Sequence, residues 1–413
     1  MTTASPDMTR RHTRTKLAAA VAGCALLGAS GLASASTASA SAAPARHGAA
    51  ALRTALRRDL SHYLTARRKA EHISAVALRV TFPGRPSISL ATGTTRYDGG
   101  PPVSTRALWQ IGSNTKAFTS VILLRLEAEG KLSINDPIGK WLPQYPAWRH
   151  ITIRQLLDMT SRIPDYLYQP AFQAAFAANP HTRFTATRLV SYVAGLPLGP
   201  RGWHYTNTDY ILAQMIIERV TRGSYADQLT RRILTPLRLR TTCLAPYTCP
   251  QSDAARMPAG YFFIAGAPPS LTGQAMPPLA LTWAQGAGGI VSSLADMTTW
   301  DRDLYQGQLL PPRQQHQLES LVSQATGKPI RKTTLADPGG YGLGIYQLTL
   351  RQTGTAWYYE GQAFGARVLY FYFPRTGMIV ALAVNSSTGN DDLPATALSV
   401  YRTLQQAGST ETG

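Results

Sequence analysis

Lysine and cysteine are scarce in this chain of 413 residues: lysine occurs seven times and cysteine three times. Three cysteines exclude a small fold built on disulfides, and no two Cys/His pairs stand at zinc-ligand spacing. Acidic residues are also few, 22 against 41 Lys and Arg, giving a formal net charge of +19. The excess is arginine scattered along the chain rather than a basic run, so it does not mark a nucleic-acid-binding element. No solidly apolar stretch reaches the roughly twenty residues needed to span a bilayer. There is no internal repeat, phosphate loop, dinucleotide fingerprint or metal-binding helix, and no Gly-x-Ser-x-Gly elbow after residue 40. No cofactor or metal is therefore expected. What is present is 44% hydrophobic and only 15% charged, enough to bury a large core in one or two domains.

The first forty residues read as an export signal. Arg10, Arg11, Arg14 and Lys16 precede an apolar and small-residue stretch over 17–32. Ala33-Ser34-Ala35 and Ala38-Ser39-Ala40 then fit a small-x-small cleavage site. A secreted protein is expected. The alternative is lipid attachment at Cys24, within Val21-Ala22-Gly23-Cys24, although the apolar run continues past that cysteine. Residues 41–50 read as a linker and 51–410 as the working domain. In an oxidising compartment Cys243 and Cys249 can pair and close a short loop; free thiols are the alternative. The basic charge implies a weak, salt-dependent attraction to anionic cell-wall polymers. The sequence leaves the oligomeric state open.

Residues 51–72 have the spacing of an amphipathic helix with a basic outer face. Residues 74–82 and 88–92 read as a hairpin around Pro83-Gly84. A helix over 113–129 begins at Ser113, ends before Gly130 and is apolar on nearly every face, which places it centrally. Helices are expected at 211–220, 225–234, 296–304 and 393–406. Strands are expected at 341–350, 356–360, 366–373 and 378–385. Strands at both chain ends with helices between predict an α/β (α+β) fold: one antiparallel sheet built from both ends, flanked by helices, with a helical lobe inserted.

Ser113-Asn114-Thr115-Lys116 opens the central helix. Positions i and i+3 share a helix face, so the Lys116 amine can approach the Ser113 hydroxyl. Burial lowers a lysine pKa, and a neutral amine can take the serine proton. The spacing alone is a weak signal; its place on an all-apolar helix strengthens it. Tyr205-Thr206-Asn207 follows the Gly199-Pro200-Arg201-Gly202 turn and is expected in a loop. A tyrosine beside a lysine can relay protons, and Asn207 brings a donor and an acceptor.

With these residues the chain resembles the serine β-lactamase and penicillin-binding superfamily, in the branch of class C β-lactamases, D-Ala-D-Ala carboxypeptidases and related esterases. The likeness spans roughly residues 60–405. It is carried by Ser113–Lys116, Gly130-Lys131-Leu132, Asn135-Asp136-Pro137, residues 151–157, Tyr205-Thr206-Asn207-Thr208 and residues 286–293. The resemblance implies a covalent acyl-enzyme on Ser113. Lys116 and Tyr205 would share the proton work, and Asn207 would hold the acyl side of a small-molecule or peptide substrate.

The family's third motif, a basic residue, then Thr or Ser, then Gly, is matched here by Tyr359-Glu360-Gly361, followed by Gln362. By this alignment the Gln362 N–H is the second oxyanion donor. If Glu360 pointed into the site, a substrate carboxylate about 4 Å away would lose on the order of 4 kcal/mol at an effective dielectric of about 20. The alternative is a Glu360 that pairs with an arginine or points away. Met159-Thr160-Ser161-Arg162 stands where the family usually has His-Thr-Ser-Gly, and Arg162 is expected to alter that turn. The reading is an exported serine hydrolase cleaving an ester or an amide or peptide bond. A D-Ala-D-Ala carboxypeptidase or class C-like β-lactamase, and a catalytically idle binding relative, are the alternatives.

Overall fold

The computed structural model describes residues 49–264, 269–307, 309–351, 353–389 and 392–409. The export-type segment with Cys24 and nearly all of the 41–50 linker lie outside them. Helix α1 (Ala49–Glu71) presents Leu56, Leu60 and Tyr63 inward at helical spacing, and all three are buried. It leads into β1 (Ala75–Phe82) and β2 (Arg85–Gly93), the expected hairpin.

Nine strands form the main sheet. After β1 and β2 come β3 (Leu321–Ser323), β4 (Pro329–Ile330), β5 (Gly339–Tyr341), β6 (Tyr346–Leu350), β7 (Gly354–Ala363), β8 (Ala366–Phe373) and β9 (Met378–Val384). The order is β2-β1-β9-β8-β7-β6-β5-β3-β4, and neighbours are antiparallel. The register Val76↔Val384 to Thr81↔Ile379 joins the two ends of the chain, as expected. The strand expected over 341–350 is two strands, because Gly344 takes a left-handed φ of +84° and Gly342 donates to the Ile345 carbonyl in a tight turn.

Helices flank both faces. Tyr305 of α4 (Leu294–Tyr305) stacks on Tyr372 with ring centroids 5.0 Å apart. Tyr401 of α5 (Leu393–Ser409) stacks on Phe373, the next residue along the same strand, at 3.7 Å. Adjacent strand residues point to opposite faces, so α4 and α5 lie on opposite sides of the sheet. The middle of the chain is largely helical. Its centre is α2 (Thr115–Ala128), in which eleven of fourteen residues are buried. Phe118 of α2 stacks on Trp300 of α4 at 3.7 Å. Two small three-stranded sheets, absent from the sequence reading, also occur: 108–110 with 290–293 and 243–244, and 386–388 with 260–263 and 275–276. Cys243 and Cys249 form a disulfide.

Candidate active site

The site lies where β7 crosses the start of α2, and two glycines permit the approach. A Cβ at Gly361 would sit 1.9 Å from the Ile111 carbonyl oxygen. One at Gly112, whose φ is +50°, would meet the Gln362 backbone at 2.6 Å. Asn114 fastens the crossing, donating from Nδ2 to the carbonyls of Ile111 (2.7 Å) and Val368 (2.9 Å). Ser113 lies in the 3-10 turn Gly112–Asn114 that feeds α2, so the α-helix begins two residues later than expected.

Lys116 has no solvent exposure. Its Nζ lies 3.0 Å from Ser113 Oγ, 2.8 Å from Asn207 Oδ1 and 2.8 Å from the Ala287 carbonyl oxygen. As an ammonium it donates to all three. As a neutral amine it keeps two N–H groups for the two carbonyl oxygens, which can only accept. The lone pair then faces Ser113. Burial pushes the Lys116 amine down to about 7, with Asp165 and Asp209 acting in the opposite sense. The Tyr205 and Tyr210 rings face the amine at 4.7 and 5.5 Å.

Tyr205 is half-buried, and its hydroxyl lies 3.2 Å from that of Tyr359. Tyr359 in turn lies 3.3 Å from the Tyr341 hydroxyl. Asn207 is the first residue of α3 (Asn207–Thr221) rather than part of a loop. Its side chain links Lys116 to Asp165: Oδ1 accepts from the amine, and Nδ2 donates to Asp165 Oδ2 at 2.8 Å. The arrangement therefore orients Lys116, a role the sequence reading had not given it. Asp165, which also N-caps the short turn Tyr166–Tyr168, and the Ala287 carbonyl are parts of the site that the reading missed. Neither residue type nor spacing marks them.

Glu360 corrects an expectation. Tyr359, bonded to Tyr205, and Gly361, packed on Ile111 and Asn114, share the site face, so Glu360 between them faces the opposite side of the sheet. Its cross-strand neighbour is Leu369, on the same face as Phe371, Phe373 and Arg367. There its charge acts on Tyr63 of α1. Arg367 is fully buried on that face and bonds Glu71 (2.8 Å), Tyr63 (3.2 Å) and the Ser386 carbonyl (3.1 Å). Glu360 therefore points away from Lys116, the alternative left open above, and the argument from repulsion loses its premise. The Gln362 side chain also turns away, bonding the Thr388 carbonyl at 3.2 Å, so only its backbone adjoins the site.

Arg162 keeps a left-handed backbone, φ +71°, where the family pattern has glycine. Its Nε donates to the Gly199 carbonyl at 2.7 Å and its own carbonyl accepts from Gly199 N at 2.8 Å. These two bonds tie the turn to the loop that carries Tyr205. His204 is exposed. Among the described residues no group of three or more His, Cys, Asp and Glu could hold a metal ion, and no helix is long and apolar enough to cross a membrane.

A family model described as Beta-lactamase matches residues 60–405. Penicillin-binding protein 4* of Bacillus subtilis is 27% identical over 240 residues, 55% of this chain and 52% of that protein. Protein flp of Staphylococcus aureus is 30% identical over 178 residues, 41% of this chain and 35% of that protein. The chain thus spans about half the length of these curated relatives, or less. Among solved structures, a D-stereospecific amidohydrolase from Streptomyces sp. superimposes with a TM-score of 0.70 at 26% identity, covering 84% of this chain and 97% of that one. The D-amino acid amidase of Ochrobactrum anthropi SV3 gives 0.71 at 21% identity, covering 88% and 99%, a likeness of fold.

Proposed function

The chain belongs to the beta-lactamase family, whose relatives include penicillin-binding proteins and D-amino acid amidases, and from that premise we propose that it is an exported serine hydrolase. It would act through an acyl-enzyme on Ser113 and cleave an ester, amide or peptide bond. The observation that carries this reading is the fully buried Lys116 amine, 3.0 Å from Ser113 Oγ, with its other two contacts on carbonyl oxygens.

In this scheme neutral Lys116 takes the Ser113 proton as Oγ attacks the substrate carbonyl carbon. The developing oxyanion is received by the backbone N–H groups of Ser113 and Gln362. The proton passes from Lys116, or through Tyr205 beside it, to the departing oxygen or nitrogen. Water then attacks the ester on Ser113, and the reverse proton transfer restores the serine. The signal-like order of residues 1–40 read from the sequence and the Cys243–Cys249 disulfide support a secreted protein.

The face of β7 turned to the site supports a substrate without a carboxylate at that point. Tyr359 replaces a basic residue, is buried, and bonds only to neutral hydroxyls in the contacts described above. The preference arises from a missing attraction. An ester or the amide of a D-amino acid fits it, in keeping with the two amidohydrolases of similar fold. A D-Ala-D-Ala carboxypeptidase or class C-like β-lactamase is the second reading, favoured by the penicillin-binding relatives.

The test is a hydrolysis panel of short-chain esters, D-amino-acid amides, D-Ala-D-Ala peptides and nitrocefin, with fluorophosphonate and labelled-penicillin probes. Turnover of esters or amides, with fluorophosphonate labelling that is lost in Ser113→Ala, is the expected result. Fast nitrocefin turnover selects the second reading. An idle binding protein takes up neither label.

A further inference from the structure

We propose that Asp165 is a positioning residue that fixes the orientation of the Asn207 amide and thereby aims the Lys116 amine at Ser113. The inference rests on the hydrolase reading for its purpose, but its geometry stands independently. Asp165 is buried, 6% exposed. Its Oδ2 accepts from both the backbone N (3.0 Å) and Nδ2 (2.8 Å) of Asn207, and its Oδ1 accepts from Leu167 N (3.0 Å). Three N–H donors converge on the two oxygens, the environment of a carboxylate. Burial raises this carboxyl, while the same donors and Lys116 hold it down.

An asparagine amide can point either way. Turned round, Asn207 would set Nδ2 against Lys116 Nζ, donor facing donor, and its oxygen against the Asp165 carboxylate, acceptor facing acceptor. The carboxylate excludes that state. Oδ1 must then face Lys116, and with the Ala287 carbonyl it occupies two of the amine's directions. The third is left for Ser113 Oγ.

Asp165 also contributes charge. Two carboxyl groups act on Lys116: Asp165 from the segment before Tyr166, and Asp209 from α3. Asp209 accepts the Ser161 hydroxyl on both oxygens (2.7 and 2.8 Å), and Asp158 lies near enough to raise it. The other groups facing the amine are the rings of Tyr205 and Tyr210. Asp165 reaches it through a single bridging amide.

The test is a titration that needs no activity. Seven lysines give a tractable spectrum when their side-chain carbons are labelled. Lys116 is assigned by its loss in Lys116→Met and followed by NMR in Ser113→Ala and in Ser113→Ala/Asp165→Asn. Removing the negative charge is expected to lower the Lys116 titration by about one pH unit. In the Asp165→Asn enzyme with intact Ser113, the acid limb of kcat/KM shifts by the same amount. In Asp165→Ala the amide loses its acceptor, and kcat falls more than tenfold with KM little changed.

A Lys116 titration unchanged by Asp165→Asn in a folded protein overturns the proposal. If neither variant folds, the wild type decides: the Asn207 side-chain amide protons should exchange slowly and move with the Lys116 titration, and fast exchange overturns the proposal. Activity remaining in Ser113→Ala would instead sink the hydrolase reading and leave the titration result standing.

Discussion

At the scale of the residue, the site depends on keeping an amine out of water. Burial disfavours the ammonium, so the base form of Lys116 becomes available near neutrality. The sign follows: below about 7 the ammonium dominates and the base is lost. kcat/KM on an ester that does not itself titrate should fall about tenfold per pH unit on that side and level off above it. A flat profile from pH 5 to 9 would exclude the amine as base. Lys116→Ala should lower turnover by several orders of magnitude without unfolding the chain, read by stopped-flow acylation and circular dichroism. Tyr205→Phe should cost about 10²–10⁴-fold, the range of a lost general acid or base.

At the scale of the element, the site is a crossing of a strand and a helical turn with almost no space between them. Gly361→Ala would drive a methyl group into the Ile111 carbonyl, 1.9 Å away. Neither partner is a flexible side chain, so the strand must move. Overpacking of this kind costs about 1–3 kcal/mol. The melting temperature should fall by several degrees, and Ser113 acylation should slow because the Gln362 backbone moves with the strand. Parity along β7 makes a second prediction. Glu360→Gln should leave the ranking of substrates unchanged in the hydrolysis panel, because position 360 faces α1 and not the site.

At the scale of the whole molecule, the two chain ends are bound together behind the site. Arg367 of β8 bonds Glu71 of α1, and Arg67 of α1 bonds Asp392 just before α5, Nε to Oδ2 at 2.7 Å. Removing one member of a buried pair strands the other, at about 3–5 kcal/mol. Arg367→Ala should therefore lower the unfolding free energy by roughly that amount in urea melts. The kcat of the molecules still folded should stay near wild type, since Arg367 lies on the far face of the sheet. The basic charge of the molecule belongs to this scale too. Binding to a teichoic-acid-like polyanion is expected at low ionic strength and should disappear in about 0.5 M salt, as screening requires.

The sequence by itself determined the sheet of both chain ends, the central helix and the pairing of Ser113 with Lys116. The strands, the helix and the Ser–Lys pair are local matters: alternation marks strands, an apolar run marks a buried helix, and a separation of three residues brings Lys116 to Ser113 across one turn. That the end strands share one sheet followed from the order of strands and helices along the chain. Tertiary structure alone decided the rest. Asp165 reaches Asn207 across 42 residues, and the Ala287 carbonyl reaches Lys116 across 171, separations at which the chain carries no periodic trace. The direction of Glu360 was decided in the same way. In a strand a one-residue change of register exchanges the two faces, so a charge can be read from the sequence while the side it faces is set only by the neighbours that pair with it.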